Sequence, residues 1–166
     1  IINEREKNGP YKTIFEFAQR VNLSAVNRKA FESLALSGGF DNFGIKREQY
    51  FGVNSKGDVF LDTLIRYGQL YQAEQAEARN SLFGDLDSVI VSTPPVPQAE
   101  GWSAIERLNK ERDLVGIYIS GHPLDDYRIV LANLCNTHCK ELGDKQELFK
   151  KGGRVTVGGV VTGVRS

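Results

Sequence analysis

Over most of this chain the apolar residues recur every three or four positions, the period of a helix buried on one side, rather than every second position as in a strand. Residues 1–8 open in a charged helical pattern. Asn8, Gly9 and Pro10 are expected to end it, because Gly suits the position past a helix and Pro cannot continue one. Thr13 and Glu16 have the spacing of a capping box and open a short helix with Phe15, Phe17, Ala18 and Val21 facing inward. Ser24 or Asn27 caps the next helix, where Phe31, Leu34 and Ala35 recur at helical spacing, and Gly38 and Gly39 end it. Phe40 and Phe43 pack beyond that end, Gly44 turns the chain, and a further short helix covers about 45–51. The longest helix runs over 58–80. Phe60, Leu61, Leu64, Ile65, Tyr67 and Leu70 form its apolar stripe, which is lost in the last two turns, 72–79, so that half reads as solvated.

Beyond this helix the pattern changes. Residues 78–86 read Ala-Arg-Asn-Ser-Leu-Phe-Gly-Asp-Leu, and a Pro-rich tether comes next at 92–97. Leu82 and Phe83 are thus an apolar pair where solvated chain is expected. Burying each would gain roughly 1.5–3 kcal/mol, enough to make a short peptide adhere weakly to another surface. The same pair could instead fold back over its own domain. Ser103 and Glu106 form a second capping box, opening a helix whose buried side is read as Ile105, Leu108, Leu114 and Val115. Pro123 fits the first position of another helix, with His122 or Gly121 just outside it and Asp125 and Asp126 in its first turn. Residues 154–165 are β-branched and punctuated by Gly, the pattern of a strand with a bulge. A lone strand lacks stability, and the first helix has no entry cap, so both ends suggest a piece of something larger.

Charge sharpens the picture only locally. Residues 1–56 carry nine Lys and Arg against six Asp and Glu, 57–100 carry two against seven, and 101–166 carry ten against eight. An acidic middle between mildly basic ends does not by itself announce a nucleic-acid surface. No apolar run approaches the roughly 18–20 residues of a membrane span and no secretory signal is visible, so a cytoplasmic protein without a membrane partner is expected.

Candidate chemistry is sparse. Cys135, His138 and Cys139 could place three donors together, but a closed zinc site needs four, and His122 is distant in sequence; free thiols are the expectation. Asp125 and Asp126 are accounted for by stabilisation of a helix start. His122 lacks a nucleophile partner, and a hydrogen bond at its turn explains it. No catalytic constellation emerges.

Residues 111–125, Glu-Arg-Asp-Leu-Val-Gly-Ile-Tyr-Ile-Ser-Gly-His-Pro-Leu-Asp, resemble a signature of the alpha subunit of bacterial DNA polymerase III, the C-family replicative polymerase. Further stretches resemble that family in the same order. Residues 4–12 look like the exit from its helix-hairpin-helix region and 26–41 like the segment next to that exit. Ser81, Leu82, Phe83 and Gly84 sit where the family has its internal clamp-binding motif, and 153–165 look like the first strand of its OB-fold.

The resemblance implies a mainly α, helix-hairpin-helix-derived region that binds the sliding clamp and duplex DNA, followed by the first strand or hairpin of an OB-fold. Its expected divisions are a helical region over 1–80, a linker with the clamp-binding motif over 81–102, a second helical region over 103–151, and the OB-fold start over 152–166. The family's clamp motif usually reads Gln, two variable residues, an aliphatic and Phe. Carried over by position, Leu82 and Phe83 are the apolar anchors and Asn80 and Ser81 the tolerant middle, while Arg79 stands where Gln is usual. Helix-hairpin-helix elements hold phosphates with main-chain N–H groups and basic side chains, without reading sequence. Lys7, Lys12, Arg28, Lys29, Lys46 and Arg47 are the candidates here; the glycines of the first hairpin would precede Ile1. The family's polymerase chemistry uses carboxylates binding two Mg²⁺ ions in a palm domain, which these residues do not match, so no cofactor is expected within them. The remaining polymerase domains would be partners. The contrasting reading is a helical scaffold with a packed 81–83 loop and no direct clamp or DNA contact.

Overall fold

The computed structural model describes residues 1–80, 91–143, 154–161, 163 and 164. They form two compact units, Ile1–Ile117 and Tyr118–Ser166. Helices dominate, and among the described residues the only β pairing is an isolated bridge between Val53 and Val59. No helix among them is long and apolar enough to cross a membrane.

The first unit contains α1 (Ile2–Asn8), α2 (Ile14–Arg20), α3 (Arg28–Leu36), α4 (Phe60–Asn80) and α5 (Ala104–Val115), with 3-10 turns at Asp41–Phe43 and Arg47–Phe51. Local chemistry places most boundaries where the sequence puts them. Gly9, at φ 82°, lies just past α1. The Asn27 carboxamide oxygen, rather than Ser24, accepts the Ala30 N–H at 3.0 Å and starts α3. Thr13 caps α2 by accepting the Glu16 N–H at 3.1 Å, but the Glu16 carboxylate accepts from the Lys12 N–H rather than completing the box on Thr13. At α5 both halves of the box form: the Ser103 hydroxyl accepts the Glu106 N–H and the Glu106 carboxylate accepts the Ser103 N–H.

The core is aromatic. Phe17 packs edge-on against Tyr11, Phe31 and Phe40, with ring centroids 5.0, 5.4 and 5.1 Å away. Tyr50 continues the chain of rings from Phe40 to Phe60. Ile14, Ala18, Val21, Leu61 and Leu64 close around them. Such pairs add about 0.5–1.5 kcal/mol each beyond the area they bury. Gly68 brings α2 and α4 together, since a Cβ there would lie 2.5 Å from the Ala18 carbonyl oxygen.

Three sequence expectations need correction in this unit. Leu70 is not part of the buried stripe of α4 but 53% exposed, although Tyr67 before it is buried and Gln72 beyond it reaches the end of α2. On α5, Ile105, Leu114 and Val115 are exposed, and the buried residues are Leu108 and Glu111. The end of the presumed tether is docked: Val96 packs against the core, the Pro97 carbonyl accepts a hydrogen bond from the Gln49 amide at 3.0 Å, and Trp102 lies 5.6 Å from Phe51, centroid to centroid. These contacts join α5 to the N-terminal helices, whereas the sequence groups it with the second helical region over 103–151.

The second unit holds 3-10 turns at Asp125–Tyr127 and Cys139–Gly143 around α6 (Arg128–Leu134). Thr137 is its one buried side chain among the described residues. The strand expected over 154–165 is not seen: the described part of it forms no ladder. Asn136 occupies its hydrogen-bonding groups instead, donating through its backbone N–H to the Thr156 carbonyl and through its side-chain amide to the Arg154 carbonyl, and accepting the Thr156 N–H.

Candidate nucleic-acid and partner interface

Of the expected clamp-binding residues, Arg79 and Asn80 end α4, and Ser81, Leu82 and Phe83 lie outside the described residues. The geometry of α4 decides how the motif is approached. Its first half is fixed in the core by Phe60, Leu61, Leu64 and Tyr67. The Gln72 amide then reaches the carbonyls of Ala18, Gln19 and Val21 at 3.2, 3.0 and 2.8 Å, covering the acceptors left open where α2 ends. Gln72 is therefore a structural residue, not part of a solvated tail. From Ala73 to Ala78 all residues but the half-buried Glu74 are exposed. At 1.5 Å per residue, α4 carries the backbone about 12 Å from Gln72 to Asn80.

The basic candidates divide. Lys7, Lys12, Lys29 and Lys46 are exposed. Lys7 lies in the last turn of α1, Lys12 in the loop before α2, Lys29 in the first turn of α3, and Lys46 just before the Arg47–Phe51 turn. Arg28 is exposed but engaged, with Asp62 at 2.7 Å and Glu32 at 3.2 Å; the hydrogen bond from its guanidinium to Asp62 raises its pKa.

Arg47 does not belong with the surface candidates. It is 5% exposed and its guanidinium is fully engaged: with Asp41 at 2.6 Å, with Glu111 at 2.9 Å and, as donor, with the Leu36 carbonyl at 3.2 Å. Asp41, the nearest hydrogen-bonding partner, raises its pKa further. A buried cation so held is a joint between elements, not a phosphate contact. Sequence reasoning missed its partner Glu111, although a signal exists: Glu111 lies three residues beyond Leu108, on the same helical face.

A second polar joint holds α1, which buries no residue of its own. Arg20 meets Glu4 at 2.8 Å and Glu16 at 2.7 Å, donates to the Gly9 carbonyl at 2.8 Å, and lies 4.5 Å from the centre of the Tyr11 ring. Hydrogen bonds from Arg20 hold the Glu4 carboxyl below its ordinary pKa. For Glu16 the Lys12 N–H is the larger cause and Arg20 the second.

In the second unit, His122 serves its turn. Its Nδ1 accepts the Leu124 N–H at 3.1 Å while its own backbone N–H donates to Asp125 at 2.7 Å. That bond, with the Arg128 guanidinium, lowers the Asp125 pKa. Cys135 is half-buried and Cys139 exposed, both free thiols. Among the described residues no three His, Cys, Asp or Glu side chains are grouped to hold a metal.

Comparison with known proteins places this geometry. Residues 1–50 match the helix-hairpin-helix motif. The DNA polymerase III subunit alpha of Treponema pallidum (strain Nichols) is 37% identical over 131 residues, covering 79% of this chain and 11% of that protein. The subunit alpha of Borreliella burgdorferi is 37% identical over 134 residues, covering 77% and 11%. That of Haemophilus influenzae is 28% identical over 172 residues, covering 99% and 13%. The first third of the chain thus matches a helix-hairpin-helix motif. Across its matched length the chain is a relative of the alpha subunits of bacterial DNA polymerase III, and it spans about a tenth of their length.

Proposed function

We propose that this chain is a non-catalytic part of a replicative DNA polymerase alpha subunit that engages the ring-shaped sliding clamp and lies along duplex DNA. The similarity to polymerase III alpha subunits over 79% of the chain carries this reading. The helix-hairpin-helix match over 1–50 supports its DNA side. On the clamp side, α4 leads into Arg79 and Asn80, and Ser81, Leu82 and Phe83 come directly after. Leu82 and Phe83 would enter an apolar pocket on the clamp. Two such side chains bind weakly alone, but joined to a polymerase that also grips DNA threaded through the ring they act at high effective concentration. Lys7, Lys12, Arg28, Lys29 and Lys46 would neutralise phosphates without reading bases. Polymerase chemistry, with its Mg²⁺, belongs to the remaining domains, which are partners of this part in the cytoplasm. Residues 154–165 would join the sheet of an OB-fold.

The test is titration of the matching clamp with the parent chain and with the Leu82→Ala/Phe83→Ala variant. The variant is expected to lose clamp binding with its melting temperature nearly unchanged. A large drop in melting temperature with unaltered clamp affinity would instead favour the scaffold reading.

A further inference from the structure

A cleft of about 600 Å³ in the first unit gathers side chains that the fold leaves without a partner. Lys46 and Glu48 line it from the turn after Gly44, and Trp102 and Arg107 line it from the start of α5. Lys46 and Arg107 are exposed, and among the described residues neither side chain has an ion pair or hydrogen bond. Arg47, which borders the same cleft, is by contrast committed to Asp41 and Glu111. Trp102 is held in place by packing on Phe51, 5.6 Å away, and by the Lys110 ammonium 4.5 Å from its ring centre. Its indole N–H donates to no described residue. The cleft therefore combines two unpaired cations and a neutral donor with two carboxylates, Glu48 and the Asp41 that is paired with Arg47.

We infer that this cleft binds a phosphodiester of the DNA backbone, Arg107 and Lys46 contacting the phosphate oxygens and the Trp102 N–H donating to one of them. A phosphate oxygen only accepts, which suits a site of donors, and guanidinium and ammonium groups both bind it. Glu48 narrows the choice. Beside the Asp41–Arg47 pair, it leaves Lys46 and Arg107 with a single net positive charge, which suits a singly charged phosphodiester better than a free phosphate dianion. Two of the residues lie on or just before α5, outside the matched 1–50, so the contact surface extends beyond the helix-hairpin-helix segment. The inference rests on the proposed duplex-DNA role.

Trp102 is the single tryptophan of the chain, so its emission reports on its own surroundings, this cleft included. The experiment titrates a labelled DNA duplex of mixed sequence into the 166-residue chain at low salt, with duplex anisotropy and Trp102 emission read together. Both signals are expected to change with one midpoint. Arg107→Ala and Lys46→Ala are each expected to weaken binding by up to ~5-fold and to lower the salt slope by about one. Arg66→Ala, an exposed charge on α4, is expected to leave both unchanged. Anisotropy that rises while Trp102 emission and the Arg107→Ala variant show nothing would overturn the cleft and leave the DNA role standing. No rise in anisotropy would remove both. If inorganic phosphate alone changes Trp102 emission and displaces the duplex at equal phosphate concentration, the site is for a small anion and the inference fails.

Discussion

The Glu111 carboxylate lies 2.9 Å from the Arg47 guanidinium across 64 positions of sequence, and Glu111 has no solvent-exposed surface. This pair fastens α5 to the turn after α3. Arg47 also donates to the Leu36 carbonyl at the end of α3, so one cation ties three segments. Its environment is tight on the other side too: a Cβ at Gly38, where φ is +84°, would fall against the guanidinium.

Removing one partner should cost more than the pair contributes. Glu111→Ala leaves a buried, partly unpaired cation and is expected to destabilise the first unit by about 3–5 kcal/mol in denaturant unfolding. Replacing both residues by apolar ones of similar volume is expected to cost far less. An unfolding midpoint unchanged in Glu111→Ala would show that Asp41 alone satisfies Arg47.

Tyr50 offers the opposite sign. Its side chain is fully buried, burial pushes its pKa up, and its hydroxyl has no hydrogen-bond partner among the described residues. An unpaired buried hydroxyl costs on the order of 1–3 kcal/mol. Tyr50→Phe keeps the ring in the aromatic stack and is expected to raise stability by about 1 kcal/mol, read as a higher melting temperature.

Gly68 sets two effects against each other. Alanine gains about 1 kcal/mol in helix propensity over glycine. The new methyl, however, would meet a backbone carbonyl of α2 rather than a movable side chain, and overpacking of this kind costs roughly 1–3 kcal/mol. The clash is expected to win: Gly68→Ala should lower stability by up to about 2 kcal/mol. A stabilised variant would mean that α2 and α4 separate easily.

The Arg20 joint makes the docking of α1 sensitive to acid. Glu4 and Glu16 have folded-state pKa values below the ordinary 4.5. Their contribution is therefore complete above that value and is lost as pH falls through the lowered folded values. The protection of the α1 amides against hydrogen exchange, relative to the intrinsic rate at each pH, is expected to fall on acidification through the lowered carboxyl values and in Arg20→Ala at neutral pH, while the aromatic core keeps its protection. Protection of α1 that ignores both would place its anchoring elsewhere, with Tyr11, whose hydroxyl donates to the Ile1 carbonyl, as the next candidate.

The sequence by itself determined the local features of this protein. Gly9 after α1, the polar cap before α3 (narrowed to Ser24 or Asn27), and the Ser103 and Glu106 box before α5 depend on groups a few residues apart, and their chemistry is complete within one turn. The resemblance to polymerase III alpha subunits was equally legible, being carried by runs of adjacent residues. Tertiary structure decided which faces meet. It turned Arg47 from a surface charge into a joint with Glu111, gave Gln72 to the end of α2, seated Val96 and Trp102 on the first unit, and left Leu70, Ile105, Leu114 and Val115 outside. Helical periodicity marks a side of a helix, whereas burial depends on what lies opposite, and partners 64 positions apart leave no local trace.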